Sequence, residues 1–425
     1  MATTINRTFS ALRHRHYRLL WLGSMLATTA FMTSFMMVPA VAYDITGRNA
    51  SAGLAQMGQG IAMLLVSPLG GVVADRVRKK PLVLLGQSIP ACVIVAVGVL
   101  ILTDRITVPI LTLGTLIMGL GFSFMGPARQ AWVAELVTSE SLPNAMALQQ
   151  IAQNIAQVAA PLSIALLLGA LFNLGHMYLF LASLFLIVVP LTATLPSPAP
   201  RPRAVKRSMA TDLTAGFRYV WSDLQLRILW LGFVGLVVCG FAFQTLLPGL
   251  LQTELGRTST SIGPIFLSIA IAGLLVNIPL AGIIGTRWAW VTLLVMGLVM
   301  SAGFVALGLA PSYAAAIGAG IPLGIGRAGF MLVDNSLLMT TAEPAYHGRV
   351  MSMAMMGYGS QALLAPVWGT LADHVGVRET LVIVGAVAAV VTVLIGLSYL
   401  RLRRVNAAAV AAEPVGAALA LSVRS

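Results

Sequence analysis

An arginine stands inside one of the apolar stretches of this chain. Arg327 lies about fifteen residues into the run 312–335, which is roughly 20 Å along a helix at the usual rise per residue. A cation at such a depth is costly and marks a functional site by default. Two interpretations stay open: Arg327 binds an anionic or carboxylate-bearing ligand, or it pairs with Asp334, seven residues later on a similar helix face.

Amide side chains recur with helical spacing between residues 144 and 171. Positions i, i+3 and i+4 share one helix face, and lipid tolerates a polar face poorly. Such a face lines an aqueous cavity or hydrogen-bonds to neighbouring helices, and we expect the cavity. Its members are Gln149, Gln150, Gln153, Asn154 and Gln157, and Thr29, Thr33, Gln244, Asn277, Asn335 and Gln361 are further candidates for the lining.

A carboxylate followed by several cations ends another apolar run. Such a carboxylate can pair with the cations, or it can lie at the N-terminus of a neighbouring helix. Contacts of this kind can hold one of two conformations, so we predict a gating loop. The alternative is a basic loop that only orients the chain in a membrane. The loop residues are Gly71, Asp75, Arg76, Arg78, Lys79 and Lys80.

Candidates for proton binding lie at the ends of apolar runs rather than in their middle. A proton-coupled protein needs an acid that titrates in or near its apolar region. Asp44 and Asp334 are the best candidates.

Three further patterns are not interpreted as sites. The G-x-G-x-x-G pattern at 324–329 follows no strand, so it predicts helix packing rather than a nucleotide site. The segment GTLADHVG at 369–376 resembles the gating loop but lies at the opposite end of its run. His347 and His374 have no partners for metal binding or catalysis. We therefore predict no enzyme activity, no metal and no cofactor.

The elements that position these residues are predicted by hydropathy. Hydrophobic residues make up 58% of the 425 residues, charged residues 9%, and the mean hydropathy is +0.91, whereas soluble domains carry about 25% charge. A membrane-spanning helix needs about 20 apolar residues, which predicts an all-α protein of twelve spans in a lipid bilayer. The spans are 19–43, 53–74, 81–103, 107–128, 144–171, 176–195, 226–251, 260–285, 289–310, 312–335, 350–373 and 379–401.

The positive charge predicts orientation. With the N-terminus in the cytoplasm, 21 of the 26 lysines and arginines lie on the inner side, four lie outside, and Arg327 remains within a span. This places both termini at the cytoplasmic face of a cell membrane and leaves no basic surface for nucleic acid. We expect a cytoplasmic segment over 1–18, a helical bundle over 19–195, a cytoplasmic linker over 196–225, a second bundle over 226–401 and a tail without fixed structure over 402–425.

Short motifs recur at nearly constant offsets. Pro68, Gly71 and Arg76 return as Pro279, Gly282 and Arg287, an offset of 211, and Ala160-Pro161 returns as Ala365-Pro366, an offset of 205. Such repetition predicts two six-helix halves of similar structure. Repeated halves place the substrate near mid-membrane at their interface.

The segment GGVVADRVRKK resembles the loop signature of the Major Facilitator Superfamily, with Arg78 at a position where the family has glycine. Three further segments resemble the branch that contains the enterobactin exporter and multidrug exporters: ALRHRHYRLLWLG, GPARQAWVAELVTSESLPNAMAL and YHGRVMSM. Two departures are present. Thr286 stands where the repeated loop would have aspartate. In the fifth span, Ala156, Ala160, Ile164 and Ala165 stand at the glycine positions of the exporter signature.

The resemblance implies a fold of two six-helix bundles and alternating access. It also implies that the chain is a secondary transporter which exports small amphipathic organic molecules, drug-like or siderophore-like, in exchange for protons. We expect the chain to be a monomer. The altered fifth span keeps an alternative open, an uptake permease for a small organic anion. A non-transporting membrane sensor is the alternative from another class, although such a sensor would normally carry a soluble signalling domain.

Overall fold

The computed structural model describes residues 10–138, 140–196, 209–283, 286, 288–343 and 346–412. Side chains at 10, 67–76, 209–215, 348, 352, 403 and 405–412 lie outside this description. Within the described ranges every regular element is a helix and no strand occurs.

Six long helices form the first half of the chain. They are α1 (Arg15–Thr46), α2 (Asn49–Arg76), α3 (Lys79–Leu102), α4 (Val108–Leu136), α5 (Leu142–Leu167) and α6 (Leu174–Ala193). Each of the six spans predicted for this half lies largely within one of these helices. The connections are short; Gly47, for example, closes α1 in a left-handed conformation and lets α2 begin two residues later.

The second half begins after an additional helix, α7 (Met209–Ser222), within the predicted linker. The remaining helices are α8 (Leu224–Gly240), α9 (Ala242–Gly249), α10 (Ile262–Leu280), α11 (Ala289–Gly308), α12 (Tyr313–Thr341), α13 (His347–Val375) and α14 (Val377–Ala412). The seventh predicted span comprises α8, α9 and a π-helical turn at Leu250–Glu254.

The structure describes helix in both of the predicted polar segments. The second half of the linker 196–225 is occupied by α7. The last helix continues to Ala412, past the predicted start of the unstructured tail at 402, because the alanine-rich sequence there has high helix propensity. Residues 413–425 lie outside the described part of the chain.

Ten of the described helical segments are long and apolar enough to cross a membrane. Two further long helices, α2 and α13, pack against each other between the two halves. Their glycines and amides face protein rather than lipid: a Cβ on Gly60 would stand 2.4 Å from the backbone nitrogen of Leu363, and Gln56 is 1% exposed. Buried interhelical surfaces do not require lipid-facing hydropathy, so both remain spanning helices.

Helix bounds repeat between the halves. Val108–Leu136 and Tyr313–Thr341 both contain 29 residues and differ by 205 in number, the same offset as the two Ala-Pro pairs. The contacts between halves are made chiefly by α2 with α13 and by α5 with α10. We call the membrane end at which α1 begins the proximal end, and the end at which α1 finishes the distal end.

Aromatic side chains connect neighbouring helices by their polar tips. The donors bind backbone carbonyls of other helices, so their hydrogen bonds are satisfied where water is excluded. The pairs are Tyr17 with Ala145, Trp21 with Leu148, Tyr178 with Ser34, Trp230 with Met353 and Trp368 with Val238. Each bond joins two helices of the same half.

Candidate functional site

Arg327 lies in the middle of α12, against the junction of α8 and α9. Its guanidinium carbon stands 4.9 Å from the centroid of the Phe241 ring, within cation–π range. Phe241 is the residue at which the seventh span is interrupted. The Cγ of Arg327 lies 3.5 Å from where a Cβ of Gly240 would stand, so that glycine leaves room for the arginine stem. The Nε of Arg327 is buried and has no hydrogen-bond partner within the described part of the chain.

Asp334 does not pair with Arg327. Both carboxyl oxygens of Asp334 are buried and have no hydrogen-bond partner among the residues that the structure describes, and the side chain is 1% exposed. The predicted span ended at residue 335, which put Asp334 at its end, but α12 continues to Thr341 and encloses it. The ion pair considered from the sequence is therefore absent, and two ionisable side chains are buried in this half without pairing with each other.

Tyr358 connects these residues from α13. Its hydroxyl interacts with Asn335 and lies within electrostatic range of Arg327 and Asp334. Asn335 also donates from Nδ2 to the carbonyl of Met331, at 2.8 Å. The second half therefore contains a polar cluster, built by α12 and α13, that includes an acid, a guanidinium, an amide and a phenol.

The amides of α5 are divided between two environments. Gln150 and Gln157 are exposed, whereas Gln149, Gln153 and Asn154 are partly buried. Gln150 donates to Asn154 at 3.2 Å. Gln149 Nε2 and Gln153 Oε1 are buried and have no partner. The amide side chains therefore lie together on α5 as the spacing predicts. Some of their amide groups have no hydrogen bond to an adjacent helix in the described part of the chain.

Other predicted lining residues lie on several helices. Gln244 on α9 and Asn277 on α10 each bury an amide oxygen without a partner. Thr33 on α1 is fully buried and is 3.2 Å from the Ser163 hydroxyl on α5. Thr29 bonds only within its own helix, to Met25, and Gln361 on α13 is 9% exposed. Most of these groups lie in the interior of the bundles rather than on their outer surface.

Arg129 is a buried cation that the hydropathy prediction placed outside the spans. The predicted span ended at 128 and left Arg129 in the proximal loop, but α4 continues to Leu136 because its last two turns are also apolar on one side. The side chain is 7% exposed, and Nη1 donates to the Thr28 hydroxyl at 3.1 Å. The signal that could have found it is the repeat: an offset of 205 brings Arg129 to the position of Asp334.

The predicted gating loop is only partly described. The side chains of Asp75 and Arg76 and the surroundings of Gly71 lie outside the described residues. Arg78 is exposed. Lys79 lies 3.8 Å from the carboxylate of Glu135, and Lys80 donates to the carbonyl of Leu195 at 2.8 Å. Both lysines therefore join helices of the first half to one another.

Polar contacts join the halves at the distal end, in a group we call the distal seam. Asp44, at the end of α1, accepts hydrogen bonds from Gln252 and from Ser259, the latter at 2.7 Å. Asp373, at the end of α13, accepts from the first residues of α2. Between them, Gln56 donates to Thr245 at 2.8 Å. Asp44, predicted as a proton-binding candidate, is thus a hydrogen-bonded member of this seam.

Comparison with known families agrees with this architecture. The sequence profile of the Major Facilitator Superfamily matches residues 20–360, which is most of the chain and both halves. The chain belongs to the Major Facilitator Superfamily. This confirms the resemblance drawn from the loop signature and, with the helices described above, the all-α membrane fold.

Relatives of this superfamily member differ in how closely they match. The enterobactin exporter EntS of Shigella boydii serotype 18 (strain CDC 3083-94 / BS512) is 30% identical over 248 residues, and the aligned part is 56% of each chain. The chain therefore spans about half the length of that curated relative.

Solved transporters share the fold at much lower identity. The nucleoside transporter NupG is 16% identical, with a TM-score of 0.71 over 90% of this chain and 99% of that one. A bacterial homologue of the human lysosomal transporter Spinster, in an inward-facing and occupied conformation, is 14% identical, with a TM-score of 0.72 over 91% and 97%. At these identities the likeness shows a common fold alone.

The superfamily fold also explains the altered exporter signature. Ala156 and Ala160 on α5 are fully buried. Close approach to α10 depends instead on Gly263, where a Cβ would stand 2.4 Å from the backbone of Ala165. The glycine needed for a tight helix contact is therefore present on the partner helix.

Proposed function

We propose that this superfamily member is a proton-coupled exporter of small amphipathic organic molecules, which it moves by alternating access between the two halves. The observation that carries the proposal is the polar cluster around Arg327. A guanidinium, buried amides and a carboxyl without partners lie inside a membrane protein, where unsatisfied polar groups are costly. A substrate that passes between the halves would supply the missing partners.

The surroundings of Arg327 favour a substrate with both an apolar and an anionic part. The guanidinium lies over the Phe241 ring, so a ligand there meets an aromatic surface beside a positive charge. The unpartnered Nε can donate to a carboxylate or a similar acceptor. Gln149 and Gln153 on α5 belong to the other half. A ligand held by both groups would couple its binding to the relative position of the halves.

Asp334 is the better supported of the two proton-binding candidates. Its carboxyl is buried without a hydrogen-bond partner, and an ionised carboxylate without a partner is costly in an apolar interior. Asp44 has two donors from the other half, which suits a structural contact. We therefore assign proton binding to Asp334 and propose exchange of one or more protons for substrate.

The direction of transport is supported by sequence similarity. The enterobactin exporter named above shares 30% identity with this chain over about half its length. The altered fifth-span signature favours the second candidate, uptake of a small organic anion. The positive charge at the proximal end supports our proposal that this end faces the cytoplasm and that the protein lies in the cell membrane. We propose a monomer as the functional unit.

Reconstitution into proteoliposomes tests the function directly. Protein of known orientation is given an imposed pH gradient and a panel of lipophilic cations and carboxylates. We expect accumulation that a protonophore abolishes, loss of substrate affinity in Arg327→Gln, and loss of coupling in Asp334→Asn. Arg105→Gln and Asp104→Asn are matched controls, because both residues are exposed in a distal turn; asparagine also tolerates the positive φ of Asp104.

Three outcomes separate the alternatives. If the pH gradient drives substrate from the distal to the proximal side, the protein is an uptake permease and not an exporter. Binding of a ligand without movement in either direction would favour a membrane sensor. Transport that Arg327→Gln and Asp334→Asn leave unchanged would refute the assigned site while leaving transport intact.

A further inference from the structure

The segment 369–376, GTLADHVG, repeats the pattern of the gating loop at the opposite end of the membrane, and the proposed function gives it no role. In the structure the Asp373 carboxylate of this segment hydrogen-bonds to residues of the other half. Asp373 Oδ1 accepts from the backbone nitrogen of Asn49 at 2.8 Å and from Asn49 Nδ2 at 3.1 Å, and Oδ2 accepts from the backbone nitrogen of Ala50 at 3.0 Å. One side chain thus caps the first turn of α2 from the other half.

The position of Asp373 in its own helix argues against a local role. It lies in the last turn of α13, which ends at Val375, and the negative end of the helix macrodipole disfavours an anion there. At the N-terminus of α2 the same charge is favoured, since the first backbone N–H groups of a helix lack partners within it. The carboxylate is therefore stabilised by the other half and disfavoured by its own helix.

Asp44 repeats this arrangement in the reverse direction. It lies in the last turn of α1, which ends at Thr46 and has no basic residue there. Its partners, Gln252 and Ser259, belong to the second half. Each half therefore presents one carboxylate from a helix C-terminus to donors of the other half.

We propose that Asp373 is a distal gate residue: its hydrogen bonds to the start of α2 hold the distal ends of the two halves together, and they break when the distal end opens. Close packing allows these bonds to form. A Cβ on Gly369, one turn before Asp373, would lie against the backbone of Asn49 and Ala50. Separation of α13 from the start of α2 removes all three hydrogen bonds together.

This proposal rests on the alternating access assigned above, so its test uses a readout that needs no substrate. Spin labels are attached at Thr107→Cys and Leu309→Cys, two exposed positions in distal turns of the two halves. Cys92 and Cys239 are first replaced by serine. Pulsed electron–electron double resonance then measures the distance between the labels in the full-length protein.

The variants compared are Asp373→Ala, Asn49→Ala and the control His374→Ala. His374 is the exposed neighbour of Asp373, and its Nδ1 contacts only the Thr370 carbonyl of its own helix among the described bonds. Loss of a charge-assisted hydrogen bond shifts a two-state equilibrium by about tenfold or more. We expect at least about a tenfold rise in the ratio of long to short label distances for Asp373→Ala, a smaller rise for Asn49→Ala, and no change for His374→Ala.

Unchanged distances in Asp373→Ala, with elution as a single folded species, would overturn the proposal. A fall in thermal stability without a change in distances would do the same, because it would show a structural role only. Should Asp373→Asn, which keeps one acceptor oxygen, behave like wild type while Asp373→Ala does not, hydrogen bonding rather than charge would hold the gate. Absence of transport in the wild type would refute the proposed function without affecting the distance result.

Discussion

Gly60 gives a direct test of how closely the two halves pack. It lies on α2 opposite α13, and a Cβ there would stand 2.4 Å from the nitrogen of Leu363, 2.8 Å from the oxygen of Gly359 and 2.9 Å from the carbonyl carbon of Ala362. All three atoms are backbone. No rotation of a side chain can relieve the contact, so Gly60→Ala must move one helix relative to the other.

The size of the effect follows from these distances. Ordinary van der Waals contact begins near 3.4 Å, so α2 and α13 must separate by about 1 Å at this point. Overpacking a close contact destabilises the folded protein by about 1–3 kcal/mol. The higher helix propensity of alanine stabilises it by up to about 1 kcal/mol relative to glycine. Because the contact is between an added Cβ and backbone atoms, the upper part of the overpacking range applies, and we expect a net loss of about 1–2 kcal/mol in the free energy of unfolding.

The measurement is the thermal or denaturant-induced unfolding of purified protein in detergent. Gly318→Ala on α12 is the matched control, because no atom lies within 4 Å of the added Cβ and only the propensity gain applies. We expect Gly60→Ala to unfold more readily than wild type and Gly318→Ala to be equal or more stable. Equal stability of the two variants would refute the close packing of α2 on α13.

Three further tests concern buried polar groups. Thr28→Val removes the acceptor of Arg129 and should lower the unfolding free energy by about 1–3 kcal/mol, measured by denaturant titration against Thr29→Val, whose hydroxyl bonds only within its helix. Gln56→Leu or Thr245→Val alone should each cost about 1–3 kcal/mol, whereas the double variant should recover most of that loss; additive losses in this cycle would contradict the hydrogen bond. Asp334→Asn should keep the stability of the wild type, because the carboxyl has no partner to lose, and a large drop in unfolding midpoint would reveal a partner.

Hydropathy predicted the helices well but their ends poorly. Each of the twelve predicted spans lies largely within a described helical segment, because about 20 apolar residues in a row have few other stable environments. Helix ends depend on contacts beyond the apolar core of the span. Arg129 and Asp334 were therefore placed at span ends, whereas α4 and α12 continue past both of them. The repeat at an offset of 205 brings Arg129 to the position of Asp334, which lies inside its predicted span, and so indicated that the fourth span extends past 128.

The segment 369–376 shows the limit of interpretation by motif. Its likeness to the gating loop was visible in the sequence, but its place at the opposite end of the span argued against the same role. Only the structure shows that Asp373 reaches Asn49, 324 positions earlier in the chain. The side chain is exposed and polar, so neither hydropathy nor helical spacing distinguishes it from an ordinary surface residue.

By itself, the sequence determined that this chain is a multi-pass membrane protein of repeated halves with an arginine inside a span, since hydropathy and internal repetition are properties of consecutive residues. The tertiary structure decided which polar groups have partners. Arg327 and Asp334 share a helix but do not pair, whereas Arg129 meets Thr28 and Asp373 meets Asn49 across different helices. Such contacts depend on the rotation and depth of each helix against its neighbours, which packing sets across the whole fold.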